Sequence, residues 1–188
     1  MFNDHFKQVW KIVRRLPGWM PRDDAAFLFD AAMAAERLEG VIVEIGSYKG
    51  RSACIMAFGG TSEIYCVDPW QDLGTGFPLS VHDFWNTVNR FDFKARIHAL
   101  QGRSADVRPT FDKPIKLLFI DGNHTYEDVK RDYELWEPLV VHGGWILFHD
   151  YSVEWPDVKK FVDEFSDIQP VVHGCVAGFQ KGSTHARQ

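Results

Sequence analysis

Cysteine is scarce. The 188 residues hold three, Cys54, Cys66 and Cys175, odd in number, widely spaced and set in apolar runs; this argues against a disulfide framework and for buried thiols in a reducing compartment, the cytoplasm. Basic charge is short as well: 21 Lys and Arg face 26 Asp and Glu, for a net charge of -5 and a pI near 5.9. Such a chain lacks the electrostatic footprint that neutralises many phosphates, so a small-molecule substrate is expected rather than nucleic acid. Long apolar runs are missing too. Nothing approaches the roughly 20 apolar residues of a membrane span, and the charged stretch 1–16 has no signal-peptide core. Internal repeats and low-complexity tracts are absent.

What is present is an ordinary core. Hydrophobic residues make up 45% of the sequence, enough for one domain of this length but not for two, so residues 1–188 read as a single domain with N-terminal helices over 1–39, a core over 40–181 and a tail over 182–188. Phe6, Val9, Trp10, Val13 and Leu16 recur at helical spacing, with Lys7, Lys11, Arg14 and Arg15 between them. That pattern predicts an amphipathic helix docked on the domain, on a second subunit or on a membrane surface; in a homodimer this extension is where the contact is expected. A second helix is expected over 23–38, between Pro17-Gly18 and Gly40. From there strand and helix alternate, with strands over 41–46, 63–68, 96–101, 115–121 and 144–149 and helices over 50–58, 81–92, 125–137 and 156–165. This rhythm predicts βαβ units and a mostly parallel sheet. Segments 168–172 and 175–181, joined at His173-Gly174, form a hairpin that adds an antiparallel edge. The fold class is therefore α/β, a seven-stranded sheet of order 3-2-1-4-5-7-6, whose switch point between strands 1 and 4 is where ligands bind. The irregular stretch 70–80, with Gly74, Gly76 and Pro78, has the length of a lid.

Glu44-Ile45-Gly46-Ser47-Tyr48-Lys49-Gly50 follows the apolar run Val41-Ile42-Val43 and precedes a helix, which reads as a nucleotide-binding strand-turn-helix. A dinucleotide fingerprint needs glycine where Tyr48 and Arg51 stand, and a P-loop needs a lysine and one more intervening residue, so both phosphate readings weaken. What is left, E-x-G-x-x-x-G, resembles the first motif of class I S-adenosylmethionine (SAM) methyltransferases, a Rossmann-like fold. On that reading Glu44, Gly46, Ser47, Tyr48, Gly50 and Ser52 form the cofactor turn, with backbone amides and a serine hydroxyl at the cofactor's amino-acid end; Ser52 serves equally well as a helix cap. Asp68 ends the second strand about 20 residues further on, where nucleotide folds place a carboxylate against the ribose hydroxyls. Trp70 is placed to cover the adenine or to sit on the loop's rim. Gly102 and Ser104, after the third strand, fall near the adenine.

The most specific run lies downstream: Phe119-Ile120-Asp121-Gly122-Asn123-His124-Thr125-Tyr126, then Val129, Asp132, Trp136, Pro138, Gly143-Gly144 and Phe148-His149-Asp150-Tyr151. Together with the glycine turn it resembles the methyltransferase family that includes macrocin-type sugar O-methyltransferases and the cephalosporin hydroxylase proteins. The resemblance implies SAM as cofactor and O-methylation of a small hydroxylated molecule, a sugar or natural product. It also implies a divalent metal on Asp121, His149 and Asp150, with Asp121 and His124 as the catalytic residues, His124 being the general base and Asp121 also adjoining the cofactor. Asp121 and Asp150, at the ends of strands about 4.8 Å apart, can share one ion, and two carboxylates with water suit Mg²⁺. The chain departs from its relatives at His149, which stands where metal-dependent sugar enzymes carry an acidic residue; an imidazole tilts preference toward Mn²⁺, Fe²⁺ or Zn²⁺. Neighbouring strand residues point to opposite faces, so His149 joins Asp150 only if the strand breaks there; otherwise the pair shapes the pocket floor. His124 has a plain alternative as a cap of the following helix. Two rivals complete the reading: metal-independent methyl transfer with His124 alone as base, and a methyltransferase-like protein that binds cofactor or partner without methyl transfer.

Overall fold

The computed structural model describes residues 4–71, 79–165 and 169–182. Two apolar strands set its centre. Val41–Ile45 (β1) and Ile115–Ile120 (β4) are buried at every position, a pattern that only a strand covered on both faces tolerates. They pair in parallel with each other, β1 pairs outward with Ile64–Asp68 (β2), and β2 pairs with Ile97–Gln101 (β3). On the other side β4 pairs in parallel with Val140–Phe148 (β5); Val176–Gln180 (β7) then runs antiparallel between β5 and the edge strand Val171–His173 (β6). The order 3-2-1-4-5-7-6 is the expected one.

Period-two alternation divides the core between two helix layers. Ile42, Leu117, Phe119 and Leu147 face Asp4–Val13 (α1), Arg22–Ala35 (α2), Arg51–Gly59 (α3) and Val81–Val88 (α4). Val43, Leu118, Ile120 and Phe148 face Tyr126–Trp136 (α6) and Pro156–Phe165 (α7), with the short Ser104–Val107 (α5) at one end. Of the three settings open to the first helix, its own domain takes it: Phe6, Val9 and Val13 are buried and Phe6 meets Phe29 of α2 at 5.5 Å.

Several boundaries move for local reasons. β5 starts at Val140 rather than 144, because Gly143 at φ 78° lets the strand bulge between the pairs Ile115–Val140 and Leu117–Trp145. The closing turn falls at Gly174-Cys175, with Gly174 at φ 61°. Two 3₁₀ turns, Arg108–Thr110 and Glu137–Leu139, each carry an early proline that the strand-helix rhythm did not register. Cys54 and Cys66 are buried thiols, but Cys175 is partly exposed because it sits in that turn rather than in a strand. The lid expected around Gly74, Gly76 and Pro78 lies outside the described residues. Among the described residues no helix is long and apolar enough to cross a membrane.

Candidate active site

The turn after β1 is held in place by β2. Gly46 takes φ 88°, Gly50 φ 81° and Tyr48 between them φ 44°. A Cβ on Gly46 would overlap the Asp121 carbonyl, so the bare glycine is what lets the ends of β1 and β4 meet. Asp68 Oδ2 accepts the Tyr48 N–H at 2.8 Å and Oδ1 accepts the Trp70 N–H at 2.7 Å. Burial pushes the Asp68 carboxyl up, against the pull of these backbone donors. Trp70 returns its indole N–H to the Tyr48 carbonyl at 2.7 Å. Neither setting read from the sequence therefore describes Trp70: it is 3% exposed, packs on Phe84 at 5.0 Å and belongs to the core beneath the turn.

Glu44 lies fully buried under the same turn. Neither of its oxygens has an aligned hydrogen bond, and the buried Ser47 hydroxyl has none either. Burial pushes the Glu44 carboxyl up to about 7, opposed by Ser52 and Ser47 and reinforced by the Asp121 charge. Ser52 is not the cap of α3, whose N-cap is Gly50 without a side-chain bond. Both serines instead line a cavity of about 600 Å³. Its floor is the turn 46–52; one wall is 17–20, and the other carries Asp121, Gly122, His124, His149, Asp150 and Trp155. Arg51 staples the first wall in place by donating to the Val13 and Gly18 carbonyls at 3.1 and 2.6 Å. Gly102, Ser104 and Asp68 are not among the lining residues. The Ser104 hydroxyl is spent on Asp132, whose carboxyl burial raises to about 6.

On the far wall, the break needed at the end of β5 is present: the strand stops at Phe148 and Asp150 takes φ 59°. His149 can therefore turn Nδ1 toward Asp121 Oδ1 at 3.1 Å and Asp150 Oδ2 at 3.2 Å. These are ion-pair contacts lying off the N–H direction, so Nδ1 has no aligned hydrogen bond. Nε2 is 3.1 Å from Asp24 Oδ2 on α2. Burial opposes a charged ring, but Asp121, Asp150 and Asp24 outweigh it and push the His149 pKa well up. Asp121 is raised by burial against the pull of His149. Asp150, despite its own burial, is held below the usual carboxylate range by His124 and His149.

His124 does not cap α6, since the Thr125 side chain accepts the Asp128 N–H there. Its Nε2 lies 2.9 Å from Asp150 Oδ2 and its ring rests on Trp155 at 4.2 Å. One donor atom each from Asp121, His124 and Asp150 falls within 4.8 Å of the others. The imidazole grouped with the two carboxylates is thus the one the sequence assigned as base, while His149, expected as ligand, has one nitrogen committed to Asp24. Tyr48, Trp70 and Asp150 are the non-glycine residues with positive φ among the described residues; Tyr48 and Asp150 line the cavity and Trp70 lies in the core beneath its floor, a clustering typical of backbone strain at functional sites.

Sequence reasoning passed over three residues here. Trp19, 76% exposed, stacks on Tyr48 at 5.6 Å, and Trp155 is 43% exposed beside His124; both line the cavity, but a tryptophan in a loop carries no periodic signal. Asp24 did leave one. It shares a helical face with Leu28 and Ala31, and a carboxylate on an apolar stripe asks for a buried partner.

A family model described as a methyltransferase domain matches residues 43–151. An uncharacterised protein of Acanthamoeba polyphaga mimivirus is 28% identical over 178 residues, covering 90% of this chain and 72% of its own. The solved structure of the O-methyltransferase NovP superposes with a TM-score of 0.72 at 18% identity, over 85% of this chain and 80% of that one. The O-methyltransferase TomG from Streptomyces achromogenes, involved in tomaymycin synthesis and solved with SAM, superposes at 0.66 and 15% identity, over 96% and 91%. At such identities the structural likeness is one of fold.

Proposed function

The chain belongs to the methyltransferase-domain family, and on that premise we propose that it moves a methyl group from SAM to a hydroxyl oxygen of a small acceptor, a sugar or hydroxylated natural product. The observation that carries this reading is the meeting, in one cavity, of the glycine turn with Asp121, His124, His149 and Asp150. NovP and TomG, described as O-methyltransferases, support the choice of oxygen, and the SAM in the TomG structure supports the cofactor.

The residues present fit SAM. A buried Ser47 hydroxyl without an aligned hydrogen bond, lining the cavity beside Gly46, is a polar atom of the kind a ligand completes. Gly46, Ser47, Tyr48, Gly50 and Ser52 would hold the amino-acid end. Asp68, through the turn it orders, would serve the ribose. SAM supplies a methyl on a sulfonium, so the protein's share is to place an oxygen in line with it and remove that oxygen's proton. Trp155 and Trp19 give the acceptor two apolar faces at the mouth. With Nε2 of His124 turned to Asp150 at 2.9 Å, Nδ1 is the nitrogen left to take the proton, and the carboxylate steadies the imidazolium that forms. The oxygen then bonds to the methyl carbon as the carbon–sulfur bond breaks, and neutral S-adenosylhomocysteine (SAH) leaves.

A divalent cation also fits the donors of Asp121, His124 and Asp150, and when bound it would acidify the acceptor hydroxyl. The mixed imidazole and carboxylate set favours Mn²⁺, Fe²⁺ or Zn²⁺ over Mg²⁺. An imidazole lone pair serves one partner at a time, so His124 as ligand and His124 as base are alternatives. The test is SAH release from SAM with a panel of phenols and methyl glycosides, before and after chelation. Turnover that survives chelation and falls by about 10² to 10⁴ in His124→Ala assigns His124 as base; turnover lost on chelation and restored by Mn²⁺ assigns the metal. No SAH release with any acceptor, despite SAM binding, would leave a cofactor-binding protein without transfer.

A further inference from the structure

Asp24 is the one charged residue buried on α2 and it is fully excluded from solvent. Both of its oxygens are spoken for. Oδ2 lies 3.1 Å from His149 Nε2, and Oδ1 accepts the Cys175 N–H at 3.0 Å. Space for the carboxylate is made by the neighbouring turn: a Cβ on Gly174 would overlap Oδ1. A charge this deep is destabilising unless its partners are fixed, and the partner it fixes is the histidine that faces the two carboxylates of the cavity wall.

From this arrangement we propose that Asp24 is a positioning residue of the active site, holding the His149 ring by Nε2 so that Nδ1 stands between Asp121 and Asp150. The inference rests on the functional reading above for its consequence in turnover, but not for its geometry. Asp121 and Asp150 are like charges drawn to one spot, and a ring edge between them, 3.1 and 3.2 Å away, keeps both carboxylates aimed into the cavity. Asp150 in turn reaches His124 at 2.9 Å. A relay thus runs from α2 through His149 and Asp150 to His124.

The test uses the full chain. In the ¹⁵N-resolved imidazole spectrum of the wild-type protein, His149 should show a protonated, hydrogen-bonded Nε2; a spectrum of a ring flipping freely between tautomers would overturn the proposal without any variant. Asp24→Asn should move the ring signals of His149 and also of His124, leave SAH affinity within about twofold, and lower kcat for the phenol and glycoside panel by about 10- to 100-fold with little change in KM for SAM. In a His149→Ala background the same change should lower kcat by less than about twofold further, because the group it acts through is gone. Independent losses that multiply in the double variant, or unchanged ring signals in Asp24→Asn, would reduce Asp24 to a structural residue. If no acceptor is turned over by the wild type, the functional reading fails, and the spectra still decide the positioning role.

Discussion

Glu44→Gln isolates one buried charge. Burial raises the Glu44 carboxyl from 4.5 to about 7, so the folded protein holds this proton more tightly than the unfolded chain does. Below pH 4.5 both states carry the proton and the group has no net effect. Between pH 4.5 and about 7 the unfolded chain releases it first, so stability falls as pH rises and levels off above the folded value. A rise of this size corresponds to about 3 kcal/mol at pH 8. Glutamine matches the shape and cannot ionise, so the variant should equal wild type at pH 4.5 and exceed it by up to about 3 kcal/mol at pH 8. In a domain of this size that is about 6–12 °C in Tm. Urea denaturation of both proteins at the two pH values measures the gap, and every other titrating group cancels in the difference. A gap that stays constant from pH 4.5 to pH 8 would show that Glu44 releases its proton at the same pH in the folded and the unfolded chain, and would refute the reasoning.

Two further outcomes follow from the site. Asp68→Ala should weaken SAH binding by about 1.5–3 kcal/mol, because it removes the acceptor of the Tyr48 and Trp70 amides and any ribose contact together; calorimetry giving wild-type affinity would mean that the turn keeps its shape without the Asp68 carboxylate and that this group does not meet the ribose. Trp19→Ala and Trp155→Ala should each raise the acceptor KM by about 2- to 10-fold, the worth of one aromatic contact, with kcat nearly unchanged. Initial-rate kinetics in which kcat falls and KM does not would move Trp155 from acceptor contact to support of the His124 ring.

How much of this was legible in the chain depends on how far apart the interacting residues lie. β1 and β4 were readable because burial on both faces writes itself as near-continuous apolar runs, interrupted only by Glu44 and Lys116, and the break at Asp150 was readable as a condition, since neighbours on a strand cannot share a face. Trp70 was misread because its direction depends on a backbone at φ 41°, which no spacing encodes. His149 is the instructive case. Its motif says that it stands beside two carboxylates, but whether it behaves as ligand, cation or wall depends on what meets its second nitrogen, and that residue, Asp24, sits 125 positions away on a helix assigned to the N-terminal extension. A local pattern can reveal that Asp24 wants a buried partner and that His149 has a free edge. Joining the two requires knowing that the start of α2 abuts the end of β5 and the β6–β7 turn, and that is settled by how the helix layer packs on the sheet. The chemistry of the cavity wall is therefore decided in part by tertiary packing, which is why a change at Asp24 is expected to be felt at His124.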